Sequence, residues 1–224
     1  MQQIVPNVYT FTGLIMGRVY LLQDDEGLTI VDSGMSGAGE KILAQLQAAG
    51  HQPTNVKRIL LTHVHPDHVG GLKPLHEATG AEVWCHPKEK PVMEGDIPVP
   101  GKPDGLRFPT PSVVPVPVSH TTAEGDTLPV LGGLQVIDTP GHAPGHISFW
   151  QPEQRLLIVG DVIFNVFNRM TLPLPMATVD MEENKRSVKK LQGLQPQMML
   201  FGHGPVVVGQ ASARLDAFIQ RLGL

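Results

Sequence analysis

The sequence predicts an α/β protein in which sheets carry helices on their outer faces. Short runs of β-branched and aliphatic residues alternate with helical patterns over most of the 224 residues, the pattern of strands and helices that take turns. With 41% hydrophobic and 17% charged residues, the composition is that of an ordinary globular protein, neither disordered nor membrane-embedded. The length allows one large domain or two small ones at roughly 100–200 residues per domain, and the reading adopted is one domain over residues 1–224. A chain of this size buries roughly 70–75% of its unfolded surface, so its stability does not require disulfides or a structural metal.

Residues 19–22, 28–31, 58–61 and 82–85 read as strands in the first half, and 134–138, 147–150, 156–159 and 198–201 in the second. Helical periodicity appears at 39–49, where Ile42, Leu43 and Leu46 share a face, and at 69–79, where Leu72 and Leu75 do. Two further helices are expected near 182–191 and 211–222. Seven prolines stand between residues 97 and 117 (Pro98, Pro100, Pro103, Pro109, Pro111, Pro115 and Pro117). That density forbids a regular helix or central strand. Because Ile97, Leu106, Phe108, Val113 and Val114 are interleaved with them, the segment 97–117 is read as a lid or pocket wall.

The net charge is −4, and Lys and Arg are scattered in ones and twos, which leaves no electrostatic footprint for nucleic acid. The first positive side chain is Arg18, and the stretch before it is broken by Pro6, Asn7 and threonines. Neither a signal peptide nor a spanning helix is read there, so a cytoplasmic protein without membrane partners is expected. Cys85 is the only cysteine, and its setting in Val83-Trp84-Cys85 reads as a small buried hydrophobe.

Chemistry concentrates in His63-Val64-His65-Pro66-Asp67-His68, directly after a strand. Residues two apart in extended chain project to the same side, so His63 and His65 can converge on one ion. Pro66 then turns the chain into a helix, with Asp67 expected to cap the free N–H groups of its first turn. Imidazole and carboxylate at this spacing suit a divalent metal. Gly70-Gly71 reads equally as a close approach of helix to sheet or as simple tolerance of glycine near a helix start. Three further donors stand at strand ends: His142 in a turn rich in glycine and proline, Asp161 in Val159-Gly160-Asp161, and His203 in Phe201-Gly202-His203-Gly204-Pro205. Taken singly, Asp161 or His203 could as well be a turn cap.

Together these residues resemble the metallo-β-lactamase superfamily in all five of its motifs, in order, across positions 32 to 203. The resemblance implies a four-layer αβ/βα sandwich. It implies that His63, His65 and His142 bind one ion, that Asp67, His68 and His203 bind a second, and that Asp161 bridges them. Asp32, in Val31-Asp32-Ser33-Gly34, matches the motif whose aspartate stands behind the ligands. His146 falls where the family repeats a histidine after the ligand, and it reads as supporting the ligands or fixing the turn.

Departures prune the family's activities. Zinc β-lactamases of the best-known kind carry cysteine or serine where Asp161 stands, and flavodiiron oxygen reductases carry glutamate where His65 stands. Glyoxalase II adds a helical domain, whereas only enough chain for one helix follows His203 here. Acyl-homoserine lactonases place a tyrosine after the bridging aspartate, where this chain has Val162, Ile163 and Phe164. The function expected is hydrolysis of a small ester, lactone or thioester by a hydroxide bridging two divalent metal ions, zinc by preference, with iron or manganese allowed by the same donors. Asp67 is the expected catalytic carboxylate, orienting the nucleophile. The alternatives are phosphodiester hydrolysis, weakened by the lack of a basic cluster, iron-dependent persulfide dioxygenation, and a non-enzymatic metal-binding role. Phe164 and Phe167, with Phe108, are expected to wall an apolar pocket for an acyl group. Packing of these residues against a second copy of the chain, as in a homodimer, is the competing explanation.

Overall fold

The computed structural model describes residues 1–100 and 112–224, and the chain forms two compact units. Among the described residues, the first unit takes Met1–Val99, 112–122 and Pro129–Gly132, and the second takes Ala123–Leu128 and Gly133–Leu224. Most of the proline-rich core of the segment 97–117, including Phe108, lies outside the described residues.

The first unit is built on one seven-stranded sheet with the strands in sequence order: β1 (Gln2–Val5), β2 (Val8–Thr10), β3 (Tyr20–Asp24), β4 (Gly27–Val31), β5 (Val56–Leu60), β6 (Glu82–Cys85) and β7 (His120–Thr121). The first four strands run antiparallel, and β4 to β7 are parallel. Parallel neighbours need crossovers, which here carry α1 (Ala38–Ala48), α2 (Pro66–Val69), α3 (Leu72–Thr79) and α4 (Lys90–Met93). Register aligns Leu21 with Ile30, Ile30 with Ile59 and Ile59 with Val83. This row across four strands is fully buried, in one cluster with Ile42 and Leu46 of α1 and Leu72 and Leu75 of α3. Burying each such side chain contributes roughly 1.5–3 kcal/mol. Helix α1 stops in a Schellman turn: Gly50, at φ 85°, donates to the Gln47 carbonyl and His51 donates to the Leu46 carbonyl.

The helix expected over 69–79 is two segments parted at Gly70-Gly71. A Cβ on Gly70 would stand 2.4 Å from the Ser36 nitrogen, and one on Gly71 would stand 2.4 Å from the Ser33 carbonyl oxygen and 2.7 Å from the Gly39 nitrogen. Close backbone approach therefore accounts for both glycines. Asp67 is not the cap of this helix. His65 occupies the cap position and its side chain makes no cap hydrogen bond, and Pro66 opens the first turn with Asp67 inside it; the N–H groups of His68 and Val69 are met by the His65 carbonyl.

The second unit has a six-stranded sheet in the order β15-β14-β11-β10-β9-β8. Its strands are β8 (Thr127–Leu128), β9 (Leu134–Asp138), β10 (Ile147–Gln151), β11 (Leu156–Gly160), β14 (Met198–Phe201) and β15 (Val207–Val208). A separate hairpin pairs β12 (Phe164–Val166) with β13 (Arg169–Thr171). Only β11 and β14 run parallel, and α5 (Met181–Lys190) lies in the crossover between them; α6 (Ala211–Leu222) follows β15. Register lines up Trp150, Leu157, Met199 and Val207, and this row packs in one cluster with Val188 of α5 and Leu215, Phe218 and Ile219 of α6. Helix α5 starts where Asp180 accepts the Glu183 N–H at 2.9 Å, and Lys189 and Lys190 in its last turn complement its dipole.

Phe167 departs from its expected place. Val166 pairs with Arg169, so Phe167 and Asn168 form a two-residue turn, both at positive φ (47° and 64°) as a type I′ hairpin requires. The Phe167 ring is thrown out at the tip, 99% exposed.

Because the atoms crowding Gly71 are backbone, neither can yield by a rotamer change. Gly71→Ala should cost about 1–3 kcal/mol by overpacking, read as a lower urea midpoint at unchanged slope; an unmoved midpoint would refute the close-approach account.

Candidate metal centre

In the first unit, β5 ends at Leu60 and delivers Thr62, His63, His65, Asp67 and His68 within eight residues. Asp32, buried and at φ 61°, organises them. Its Oδ1 accepts the Thr62 N–H at 2.8 Å, both its oxygens lie within 3.1 Å of the Thr62 hydroxyl, and its Oδ2 lies 2.9 Å from His68 Nδ1. A carboxylate only accepts, so His68 carries its proton on Nδ1 and turns a lone pair outward on Nε2. The single hydroxyl proton of Thr62 is directed to Asp32. Its oxygen must then accept from His63 Nδ1, 3.0 Å away, which turns the His63 Nε2 lone pair outward as well.

His63 Nε2 and His65 Nδ1 stand 3.1 Å apart. Two nitrogens each ~2.0–2.1 Å from a tetrahedral ion keep a separation of about 3.3–3.4 Å, so this pair has the spacing of ligands to one ion. Asp67 Oδ2 is 3.8 Å from His68 Nε2.

One residue that sequence reasoning passed over is Glu89. Although it sits in the charged run Lys88-Glu89-Lys90, which reads as solvated, it is 1% exposed. Its Oε2 accepts the Val64 N–H at 2.8 Å, gripping the backbone between His63 and His65. No spacing in the sequence signals this. Cys85 is fully buried, and desolvation, with Glu89 and Glu94 adding to it, pushes its thiol up to about 12. A thiol so placed is no nucleophile, in keeping with its reading as a buried hydrophobe.

In the second unit, three strand ends converge. His142 follows β9, Asp161 follows β11 and His203 follows β14. One carboxylate oxygen, Asp161 Oδ2, lies 3.4 Å from His142 Nε2 and 3.2 Å from His203 Nε2, again the spacing of donors around a shared ion. A register shift between Ile158 and Gly160 against β14 is the irregularity that re-aims the end of β11. The His203 turn is clamped by β12: Asn165 donates its N–H to the His203 carbonyl, and a Cβ on Gly204 would fall 1.8 Å from the Asn165 oxygen. Phe164 lies beside the site, its ring 4.5 Å from that of His203 and 6.4 Å from that of His142.

His146 supports Asp161. Its Nε2 accepts the Asp161 N–H at 2.9 Å, so its proton is on Nδ1 and is donated to the Thr139 hydroxyl at 2.8 Å. Thr139 in turn reaches Ser148 at 2.9 Å and Ser148 donates to the Val159 carbonyl. Every hydroxyl in this chain donates once in a single direction.

The fold defined by these two sheets with their helices is that of the metallo-β-lactamases. A metallo-beta-lactamase family protein from Thermus thermophilus superposes with a TM-score of 0.73 at 24% identity, covering 99% of this chain and 81% of that one. BJP-1, a subclass B3 metallo-beta-lactamase of Bradyrhizobium japonicum, gives 0.72 at 23% identity, covering 99% and 92%. In sequence, the family model of the metallo-beta-lactamase superfamily matches residues 12–203. The chain is 30% identical over 220 residues to the probable metallo-hydrolase YflN of Bacillus subtilis (strain 168), covering 87% of this chain and 83% of that protein. It is 31% identical over 147 residues to the hydroxyacylglutathione hydrolase GloC of Haemophilus influenzae, covering 64% and 65%. The chain belongs to the metallo-beta-lactamase superfamily, and its enzyme class is that of a metal-dependent hydrolase. Among the described residues, no helix is long and apolar enough to cross a membrane.

Asp161→Asn keeps the shape of the side chain and removes the charge that faces two imidazoles. We expect metal affinity to fall at least tenfold, since a ligand should matter no less than the outer partners whose loss costs on the order of 10–100-fold, while the thermal midpoint of the metal-free protein stays close to that of the unmodified chain. Unchanged metal affinity would show that Asp161 is not a ligand.

Proposed function

We propose that the two half-sites act as a single domain and hold two divalent metal ions, zinc by preference, and that the protein hydrolyses a small ester, lactone or thioester with an apolar acyl group. The observation that carries this reading is that each unit gathers donors at its strand ends: His63 Nε2 stands 3.1 Å from His65 Nδ1 and Asp67 Oδ2 stands 3.8 Å from His68 Nε2 in the first, and Asp161 Oδ2 stands 3.4 Å from His142 Nε2 and 3.2 Å from His203 Nε2 in the second. Divalent ions held by these residues would lower the pKa of coordinated water from 15.7 toward ~7 and would supply a Lewis acid for the carbonyl oxygen.

The chain's own residues divide the remaining work. Asp32 and Thr62 hold His68 and His63 in the tautomers that present Nε2, and His146 holds Asp161 by its backbone. Asp67, in the first turn of α2, is the carboxylate placed to take a proton from the attacking water and return it to the leaving oxygen or sulfur as the acyl bond breaks. Phe164, beside His142 and His203, excludes water and receives the acyl group. Support for the thioester among the substrate classes comes from the relatives named hydroxyacylglutathione hydrolase.

Elemental analysis of fully loaded protein should give two ions per chain. Turnover should be seen in a panel of p-nitrophenyl esters, lactones and acyl thioesters, with kcat/KM rising along an acyl series by up to ~0.8 kcal/mol per buried CH₂. Phe164→Ala should flatten that rise without changing metal content. One ion per chain would reject the two-metal site, and a fully metallated protein inert across the panel would reject the hydrolysis of acyl compounds.

A further inference from the structure

A buried hydroxyl links the proposed ligand His142 to the loop that follows β13. Thr178, 1% exposed, closes a short turn over Pro175–Ala177, and its Oγ1 stands between two groups: it donates to the Leu174 carbonyl at 3.0 Å and lies 3.2 Å from His142 Nδ1. A threonine hydroxyl has one proton. A carbonyl can only accept, so the proton goes to Leu174 and the Oγ1 lone pair must accept from His142 Nδ1–H. That direction leaves the lone pair of His142 on Nε2, the atom facing Asp161 Oδ2.

We propose that Thr178 is a positioning residue that fixes the tautomer and ring orientation of His142 through this relay and so sets the metal affinity of the site. The proposal rests on the reading of His142 as a metal ligand. Two backbone bonds hold the same pair of loops in register, Val179 N–H to the His142 carbonyl and Asp180 N–H to the Gly141 carbonyl. They act on the backbone, whereas the Thr178 hydroxyl acts on the ring itself. The geometry repeats the one at His63, where the Thr62 hydroxyl donates to Asp32 and accepts from Nδ1. At His142 the final acceptor is a backbone carbonyl of a segment whose Leu174 and Met176 side chains are exposed. The segment that presents apolar side chains therefore also carries the hydrogen bond that aims a ligand.

Thr178→Val keeps the shape and removes the relay, whereas Thr178→Ser keeps both the donor and the acceptor. Zinc affinity measured by competition with a chromophoric chelator should weaken on the order of 10–100-fold in T178V and stay near that of the unmodified chain in T178S. In the metal-free protein, imidazole ¹⁵N shifts should report His142 protonated on Nδ1 in the unmodified chain and in T178S, and a mixture of tautomers in T178V. Should T178V not fold, Thr178→Ala removes the same hydroxyl with a smaller side chain and is read in the same way. A hydroxyl-free variant that binds zinc as tightly as the unmodified chain overturns the proposal, as does one whose His142 tautomer does not change. Failure of the unmodified chain to bind zinc at all would instead remove the metal reading, and this proposal with it, and is seen before any substitution is made.

Discussion

The first half-site depends on the pairing of Asp32-Ser33-Gly34 with the chain from Thr62 to Gly71. Asp32 accepts from Thr62 and His68, the Ser33 N–H and hydroxyl both donate to the His68 carbonyl at 2.7 and 2.9 Å, and Gly34 bridges to Val69 and accepts the Gly71 N–H. Ligands, α2 and the packing of α1 on α3 all follow from that seam. Its central carboxylate is buried, a costly placement unless its oxygens are satisfied, and here they meet one backbone N–H, one hydroxyl and one imidazole. The backbone of Asp32 adopts a left-handed conformation, which costs a non-glycine residue about 1–2 kcal/mol. Hydrogen bonds to a charged group contribute roughly 1.5–3 kcal/mol each, so the strain is offset by a single one of the bonds it makes possible.

In the second half-site, the groups seen behind His142 and behind the Asp161 backbone are uncharged. Thr178 stands behind His142, and His146, Thr139 and Ser148 form a neutral chain that ends on the Val159 carbonyl. A neutral chain fixes orientation through the direction of its protons alone, so it holds the ligand at less desolvation cost than a charge and adds less basicity to the imidazole.

The position of the candidate donors was legible in the sequence because residues at strand ends carry strong local signals. The cluster from His63 to His68 follows β5 and contains Pro66, and His142, Asp161 and His203 stand beside glycines after β9, β11 and β14. The eight strands read from the sequence were placed to within about two residues, because buried rows such as Leu21-Ile30-Ile59-Val83 require continuous apolar runs; the short strands β1, β2, β7, β8, β12, β13 and β15, of two to four residues each, carry no such run and were not read. The supporting residues gave no such signal. Thr62 and Thr178 are threonines in loops, where threonine is common, and Glu89 lies in a run of charges that reads as solvated. Their roles arise from contacts between segments 25 to 36 residues apart, which a one-dimensional pattern does not record. Asp67 illustrates the converse error: a carboxylate near a helix start suggests a cap, but the cap position falls to the residue before Pro66, because proline takes the first helical position.

Phe164 and Phe167 show how a three-residue offset separates function from exposure. Both were apolar residues in one stretch, yet the two-residue turn after Val166 places Phe164 in β12 beside His203 and Phe167 in solvent. A strand in that hairpin must alternate faces, so Phe164 and Val166 share one side, with the intervening Asn165 on the other. The buried Asn165 binds the Pro205 carbonyl through its side chain and the His203 carbonyl through its backbone. The hairpin is thereby fixed to a ligand-bearing turn by polar contacts while its other face offers apolar side chains. The bonds that hold the His203 turn thus lie on the face away from the apolar side chains, and the same division holds in the loop where Thr178 is buried and Leu174 exposed. Under the proposed function, substrate choice and metal binding would fall to different residues of the same short segments.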